Sequence, residues 1–253
     1  MRRGRFVSIF TMGVFTYENF FSAEVYQKMT ETFLEDLAPY GKYLKFPRGH
    51  VLNHLRVGEM AVVLSGSINL KLLSLYGEEV SLFRMEKGTI LGENEYFLKQ
   101  ASTLVAETAS NVELSLVPSP LVKQRLEKSE PLRLACIQSI IRKMNLITFT
   151  LADICFNDAK GRLASLILRQ DYLRKKQLLS DEGVGRYTQE EYASRLNLHR
   201  VTVTRAMTEL EEAGLIAVRG GKITVLKREG LQALIHPLGV ENVEGFSFGK
   251  GID

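Results

Sequence analysis

Tryptophan is absent from this chain of 253 residues, and cysteine occurs only twice. Two thiols, Cys136 and Cys155, are too few for a disulfide framework or for a four-thiolate metal or iron–sulfur site, so a reducing, cytoplasmic setting is expected. Histidine is scarce as well. His50, His54, His199 and His236 are too dispersed to suggest a shared catalytic or metal set. No phosphate-cradling P-loop, Rossmann glycine pattern or Ser-His-acid spacing occurs, and no enzyme activity is predicted. Also missing is any run of ~18 uninterrupted apolar residues, so no membrane span is expected. The opening MRRGRFVSIFTMGVF places basic residues before an apolar stretch, as a secretory leader does. Ser8, Thr11, Gly13 and Thr16 break that stretch and no A-x-A cleavage pattern follows, so it reads as a structured lead-in. A strong charge of one sign is lacking too: 33 Lys and Arg face 29 Asp and Glu, a net +4. That balance permits a nucleic-acid partner without arguing for one, because the placement of the cations decides.

What is present is the composition of a folded globular protein, 45% apolar and 25% charged, long enough for one large or two ordinary cores. Between about residues 44 and 118, Gly49, Gly58, Gly66, Gly77, Gly88 and Gly92 punctuate short β-forming runs such as AVVL and SINLKLLSL. Such spacing predicts an all-β sandwich or barrel. PSPLVKQRLEKSEP reads as a short helix between turns. In the following segment Ile137, Met144 and Leu151 lie seven apart, and Ile140, Ile147 and Ile154 repeat the spacing three residues later. Two interleaved sevens are the a and d rows of a heptad, and no second long heptad exists in the chain to mate with it. A homodimer seam on this helix is therefore expected, against the alternative that it packs on the protein's own β-domain. Cys136 and Cys155 flank the seam and read as small buried hydrophobes. KGRLASLILRQDYLRKKQ is a further amphipathic helix with a basic end at Arg174 to Lys176, and SDEGVG a turn.

Residues 187–226, YTQEEYASRLNLHRVTVTRAMTELEEAGLIAVRGGKITVL, are the most informative. Thr188 followed by Glu191 is a capping box that starts a helix. Asn197 and Leu198 make a tight turn, and a second helix begins near His199 although Val201, Thr202, Val203 and Thr204 are all β-branched, mediocre helix formers. Val203, Met207 and Leu210 recur at i, i+4 and i+7 and face inward, so packing overrides the weak local preference. Arg200, Val201, Thr204, Arg205 and Thr208 face out. Two β runs around Arg219-Gly220-Gly221-Lys222 then form a hairpin, a wing behind the two helices. Arginines at the head of the second helix of such a pair suit the major groove of double-stranded DNA, with Arg200 and Arg205 donating to guanine and Val201 or Thr204 touching thymine methyls. Thr188, Gln189, His199, Thr202 and Lys222 are candidates for phosphate contact, which positions the module without specifying sequence.

β-domain, heptad helix and winged helix-turn-helix in this order resemble the CRP/FNR (catabolite activator, fumarate–nitrate regulator) family of bacterial transcription regulators. The likeness covers nearly all of residues 44–225 and is most specific over TQEEYASRLNLHRVTVTRAMTELEEAGLI; LSGSINLKL and EKGTILGENEYF are similar to the family's glycine-anchored strands and phosphate-binding cassette. The resemblance implies an α+β fold. A helical lead-in (1–43) would precede a cyclic-nucleotide-binding-like β jelly roll (44–128) and a dimerisation helix (129–157). A winged helix-turn-helix (158–230) and a tail (231–253), glycine-containing and mobile, would follow. It further implies a homodimer on a palindromic promoter site, a small-molecule effector in the β-domain around Gly92, Glu93, Gln100 and Ala101, and RNA polymerase as a partner. Members that bind cyclic AMP hold its ribose with the cassette glutamate, matched by Glu93, and its phosphate with an Arg-Ser pair about ten residues on. Here those positions fall near Gln100 and Ala101, with no arginine between residues 85 and 124. A cyclic phosphate enclosed without a cation is poorly compensated, which argues against cyclic AMP. The first 130 residues hold no cysteine, which argues against an iron–sulfur cluster, while haem stays open through His50 or His54. Many members carry a glutamate where Val201 stands, so a different target sequence is expected. The rival reading is a cyclic-nucleotide-type module that signals through protein partners without specific DNA binding.

Overall fold

The structure is a computed structural model that describes residues 22–52, 58–176 and 187–236. The lead-in MRRGRFVSIFTMGVF, His54, the SDEGVG turn and the end of the tail lie outside the described residues. The first helix, α1 (Ala23–Thr32), is capped by Ser22, whose hydroxyl accepts from the Val25 amide at 3.2 Å. It runs on through a wide turn (Phe33–Leu37) and a tight one (Ala38–Tyr40), and drives Phe33 and Leu37 into a core shared with Met60, Val62 and Leu132.

Seven strands follow among the described residues: β1 (Lys42–Phe46), β2 (Met60–Ser65), β3 (Ile68–Leu73), β4 (Glu79–Met85), β5 (Ile90–Leu91), β6 (Val105–Thr108) and β7 (Val112–Val117). They pair antiparallel in two sheets of order β1-β7-β2-β5 and β4-β3-β6. Alternate side chains of β3 and β4 point inward, so Ile68, Leu70, Phe83 and Met85 meet Ala61, Val63, Val112 and Leu114 between the sheets. The result is a two-sheet sandwich, as the glycine-punctuated runs predict, in the jelly-roll form that the resemblance implies.

Helix α2 (Ser119–Lys128) leads to α3 (Glu130–Phe156), whose 27 residues span roughly 40 Å at ~1.5 Å each. Ser129 caps it by accepting from the Leu132 amide at 3.2 Å. Leu132, Ala135, Cys136, Ser139, Leu146, Thr150 and Asp153 are buried on one side, against the β-domain and the helix that follows. The other side carries exposed Leu134, Ile137, Ile141, Met144, Thr148, Leu151 and Cys155. Two expectations are corrected here. Ile154 is half-buried, lodged where its carbonyl accepts from Arg162, while Ile140 and Ile147 are exposed with the 137/144/151 row, and 134/141/148/155 forms a further exposed row beside them. Ile140 and Ile147 sit at the stripe's edge, turned toward the β-domain. Cys136 is buried as expected, but Cys155 is exposed and belongs to the stripe itself.

Helix α4 (Ala159–Lys175), capped by Asp158 on the Gly161 amide at 2.8 Å, is buried around most of its circumference rather than on one face. It stands between the β-domain and the C-terminal module, so Leu163, Ala164 and Ile167 join the module's core while Leu166 and Gln170 line the junction with the β-domain. The module consists of α5 (Gln189–Leu196), α6 (Arg200–Glu212), the hairpin β8 (Ile216–Arg219) and β9 (Lys222–Val225), and α7 (Arg228–Gln232). The last described helix moves the start of the tail, expected at residue 231, further along the chain. Leu231 is fully buried in the module's core, with Leu234 and Ile235 packed beside it. Among the described residues no helix is long and apolar enough to cross a membrane.

Candidate nucleic-acid interface and effector cavity

The capping box starts α5 as the sequence predicts: the Glu191 amide donates to the Thr188 hydroxyl at 3.1 Å, and the Thr188 amide donates to the Glu191 carboxylate at 2.8 Å. Asn197 ends α5 in the left-handed conformation (φ 51°), which asparagine tolerates, and His199 opens α6 two residues later. At the far end of α6, Gly214 takes φ +66°. Its amide returns to the Glu211 carbonyl and the Leu215 amide to the Leu210 carbonyl, a Schellman stop that redirects the chain into β8. The hairpin turn is Gly220-Gly221, both at positive φ (56° and 77°), the geometry a two-residue hairpin loop requires. Glu211 ties the wing to α6 by accepting from the Val218 amide at 2.9 Å.

Val203, Ala206, Met207 and Leu210 of α6 are buried against Tyr192, Ala193 and Leu196 of α5 and against Ile216 and Ile223 of the wing. That burial fixes what faces outward. The Arg200 and Arg205 side chains are 65% and 83% exposed, and Val201 is 79% exposed. Thr204 donates to the Gln189 side chain at 2.9 Å, and Arg200 reaches the same oxygen at 3.4 Å, so the head of α6 is braced on the start of α5. Arg205 donates to Glu209 at 2.9 Å, and Lys160 pairs with Glu209 at 3.1 Å; Lys160 first and Arg205 next hold the Glu209 carboxyl below its usual range. His199 and Lys222 are exposed and Thr202 half-buried, and the Thr188 hydroxyl is engaged in the capping box.

The other candidate site lies between the sheets and α3, in a cavity of about 680 Å³. Its walls are mostly apolar: Leu70, Phe83, Leu91 and Val105 from the strands, with Ile140, Met144 and Ile147 from α3. Gly92, Glu93 and Ala101 line it as expected, and Gly92 (φ +102°) lies so close to the Glu59 carbonyl that a β-carbon would collide. Gln100 does not line it. That residue follows Lys99, which is left-handed at φ 56°, and is carried out to solvent. Glu93 is buried, and its carboxylate accepts from Ser139 at 2.9 Å and from the Lys143 ammonium, which also donates to the Ile90 carbonyl at 2.9 Å. Lys143 is the charged cavity residue that sequence reading missed. Its signal is Ser139 and Lys143, one turn apart on the side of α3 away from the heptad stripe. Glu95 also lines the cavity, accepting from the Ser102 amide at 3.0 Å. His50 does not line it; its ring stacks on Phe46 with centroids 4.7 Å apart. Among the described residues no three His, Cys, Asp or Glu side chains cluster as a metal site.

Known proteins share this architecture. The family model of the Crp-like helix-turn-helix domain matches residues 161–234. The CRP-like cAMP-activated global transcriptional regulator of Mycobacterium tuberculosis is 23% identical over 217 residues, covering 83% of this chain and 95% of that one. FixK2 from Bradyrhizobium japonicum superposes with a TM-score of 0.65 at 15% identity, covering 79% of this chain and 99% of FixK2. TTHA1359, a CRP/FNR-family transcriptional regulator from Thermus thermophilus, gives a TM-score of 0.58 at 24% identity, covering 76% and 97%. The chain thus carries a Crp-like helix-turn-helix domain behind a jelly roll and a long central helix, the architecture it shares with transcription regulators of the CRP/FNR type.

Proposed function

We propose that the chain works as a cytoplasmic homodimer that reads a two-fold symmetric site on double-stranded DNA under the control of a small-molecule effector other than cyclic AMP. The observation that carries this reading is α6: one face is locked into the module's core, and the opposite face offers two exposed guanidinium groups and an exposed valine. Arg200 and Arg205 suit bidentate contact with guanine, while Val201 and Thr204 offer methyl groups to thymine. Gln189, His199, Thr202 and Lys222 suit phosphate contacts; Thr188 can add one from the start of α5. Val201 accepts no hydrogen bond, so the half-site differs from one read by a glutamate at that position.

The dimer reading is supported by the apolar stripe of α3, which stays exposed among the described residues. Gly92, Glu93 and Ala101 are the proposed effector-cavity positions, joined by Lys143. The M. tuberculosis relative is described as cAMP-activated. In this chain the ionisable groups lining the cavity, among the described residues, are Glu93, Glu95 and Lys143, and the ammonium is already paired with Glu93. The decisive experiment is selection of sites from random duplex DNA, followed by titration at ~150 mM salt. A palindromic site bound by the parent and lost by Arg200→Ala with Arg205→Ala is expected. Binding by that double variant with unchanged affinity and salt slope would refute DNA reading and favour signalling through protein partners.

A further inference from the structure

Between the β-domain and the reading module lies a smaller cavity of about 70 Å³, walled by β4, α3, α4 and α5. Its charge is lopsided. Arg84 of β4, Arg142 of α3, Arg162 and Arg169 of α4 and Arg195 of α5 all line it, against the carboxylates of Glu86 and Asp153. Among the described residues, and counting Glu191, which pairs with Arg84 at 3.2 Å from beyond the lining, five guanidinium groups face three carboxylates. Asp153 is engaged by Arg169 at 3.0 Å, with Ser165 and Asn157 as further donors. Arg162 donates to the carbonyls of Asn157, Leu196 and Ile154, which satisfies its hydrogen bonds but not its charge. Arg195 stacks its guanidinium 4.5 Å from the centre of the Tyr187 ring, and Arg84 lies 4.4 Å from the same centre.

Two buried donors on this wall lack acceptors: Nη2 of Arg195 and Nε2 of Gln170, whose Oε1 accepts from the Tyr192 hydroxyl at 3.2 Å. Burial first, and the charges of Arg84 and Arg169 next, depress the Arg195 guanidinium below its usual value, with Tyr187 and Glu86 opposing. Surplus donors around a positive void are costly to keep empty, because a buried donor without an acceptor and a buried charge without a counter-charge both destabilise the fold. At ~10–15 Å³ per water the cavity has room for about five waters, enough for a four-oxygen anion and well short of the ~300–1,000 Å³ of pockets that hold larger ligands.

We propose that this junction binds a free tetrahedral oxyanion of charge −2, the chemistry shared by sulfate and inorganic phosphate. The ion ties Arg195 of the reading module to Arg84 and Arg142 of the body, and so sets the angle at which α6 is offered. It shares the positive field with Glu86, so its affinity weakens as that carboxyl ionises. The groups that define this field are the five arginines, Glu86, Asp153, Glu191 and Tyr187.

Sulfate is the probe, since it stays dianionic across neutral pH. The full chain is titrated calorimetrically while sulfate replaces chloride at constant ionic strength, with thermal unfolding in parallel. One saturable site per chain and a raised Tm are expected. Arg195→Gln weakens sulfate at least ten-fold, and Arg195→Lys weakens it less because the charge remains. Arg205→Ala, on the DNA face, leaves sulfate affinity unchanged, and Glu86→Gln tightens it. Phosphate at pH 8 competes with sulfate, whereas AMP does not. Sulfate binding no better than chloride overturns the proposal, as does equal loss in Arg205→Ala and Arg195→Gln, or displacement by AMP. Should Arg195→Gln fail to fold, parental affinity in Arg195→Lys overturns it just as well.

Discussion

In the DNA-free chain Arg205 is held by Glu209, one turn along α6. An exposed i,i+4 pair is worth about 0.3–0.5 kcal/mol, whereas a guanidinium forked onto guanine discriminates by roughly 1–3 kcal/mol, so DNA wins the exchange. Arg205→Ala should therefore weaken a cognate site by roughly 1–3 kcal/mol and relax one base position. An unchanged selection profile would show that this side chain touches no base. Glu86 presents the opposite problem, a carboxyl with too little water. Burial pushes its pKa up to about 7, against the pull of Arg84, Arg195 and Arg142. Its ordinary value is 4.5, so between those two pH values the folded chain holds a proton that the unfolded chain has released. Stability then falls as pH rises through that window and levels off above it, by up to about 3 kcal/mol at ~1.4 kcal/mol per unit. Glu86→Gln should flatten that slope and raise Tm at pH 8. Parallel melting curves for parent and variant across pH 5 to 8 would contradict it.

At the scale of elements, legibility followed locality. The capping box, the Gly214 stop and the Gly-Gly hairpin are each written within four or five residues, and each stands where the sequence puts it. Even the β-branched head of α6 is legible, because Val203, Met207 and Leu210 show which face is buried. The stripe on α3 was legible in period and only in part in phase. A spacing of seven marks the rows, and Ile140 and Ile147 are exposed with 137/144/151 as predicted, but only the positions of the β-domain and α4 decide that Ile154 is half-buried and that 134/141/148/155 is exposed as well. Helix α7 was not legible: it is one short turn interrupted by Gly230, and its anchor Leu231 gains meaning only from the core it enters. The exposure of Cys155 makes a sharp prediction. In a parallel, in-register pair of α3 helices, Cys155 meets its own counterpart while Cys136 stays buried. A short bis-maleimide should cross-link the parent to dimers and fail with Cys155→Ser. Leu151→Asp, which places a charge in the stripe without touching the effector cavity, should sediment as a monomer. A dimer that survives Leu151→Asp and resists cross-linking would remove α3 as the seam.

Across the whole molecule, the informative contacts join residues far apart in the chain, which is why sequence reading missed them. Arg84 and Glu191 are 107 positions apart, and Ser194 reaches Glu79 across 115. Glu93 and Lys143, 50 apart, matter most for the effector. The sequence shows only that the cassette lacks an arginine. The structure shows that the cavity's cation comes from α3 and is neutralised in place, leaving Glu95 as a second carboxylate in the wall. Among the described residues a cyclic phosphate entering there would meet no unpaired positive charge, and an uncompensated buried ion costs several kcal/mol. A ligand present at ~100 times its Kd adds about 2.7 kcal/mol of stability, which in a chain of this size raises Tm by roughly 2–4 °C per kcal/mol. Millimolar cyclic AMP should produce no such rise, whereas an effector suited to these apolar walls should. The Lys143→Met variant sharpens the test, because it frees Glu93 and makes the cavity still less hospitable to anions. A saturable rise with cyclic AMP in the parent, lost in Lys143→Met, would mean that the ammonium leaves Glu93 for the phosphate, and the effector would then be the nucleotide after all.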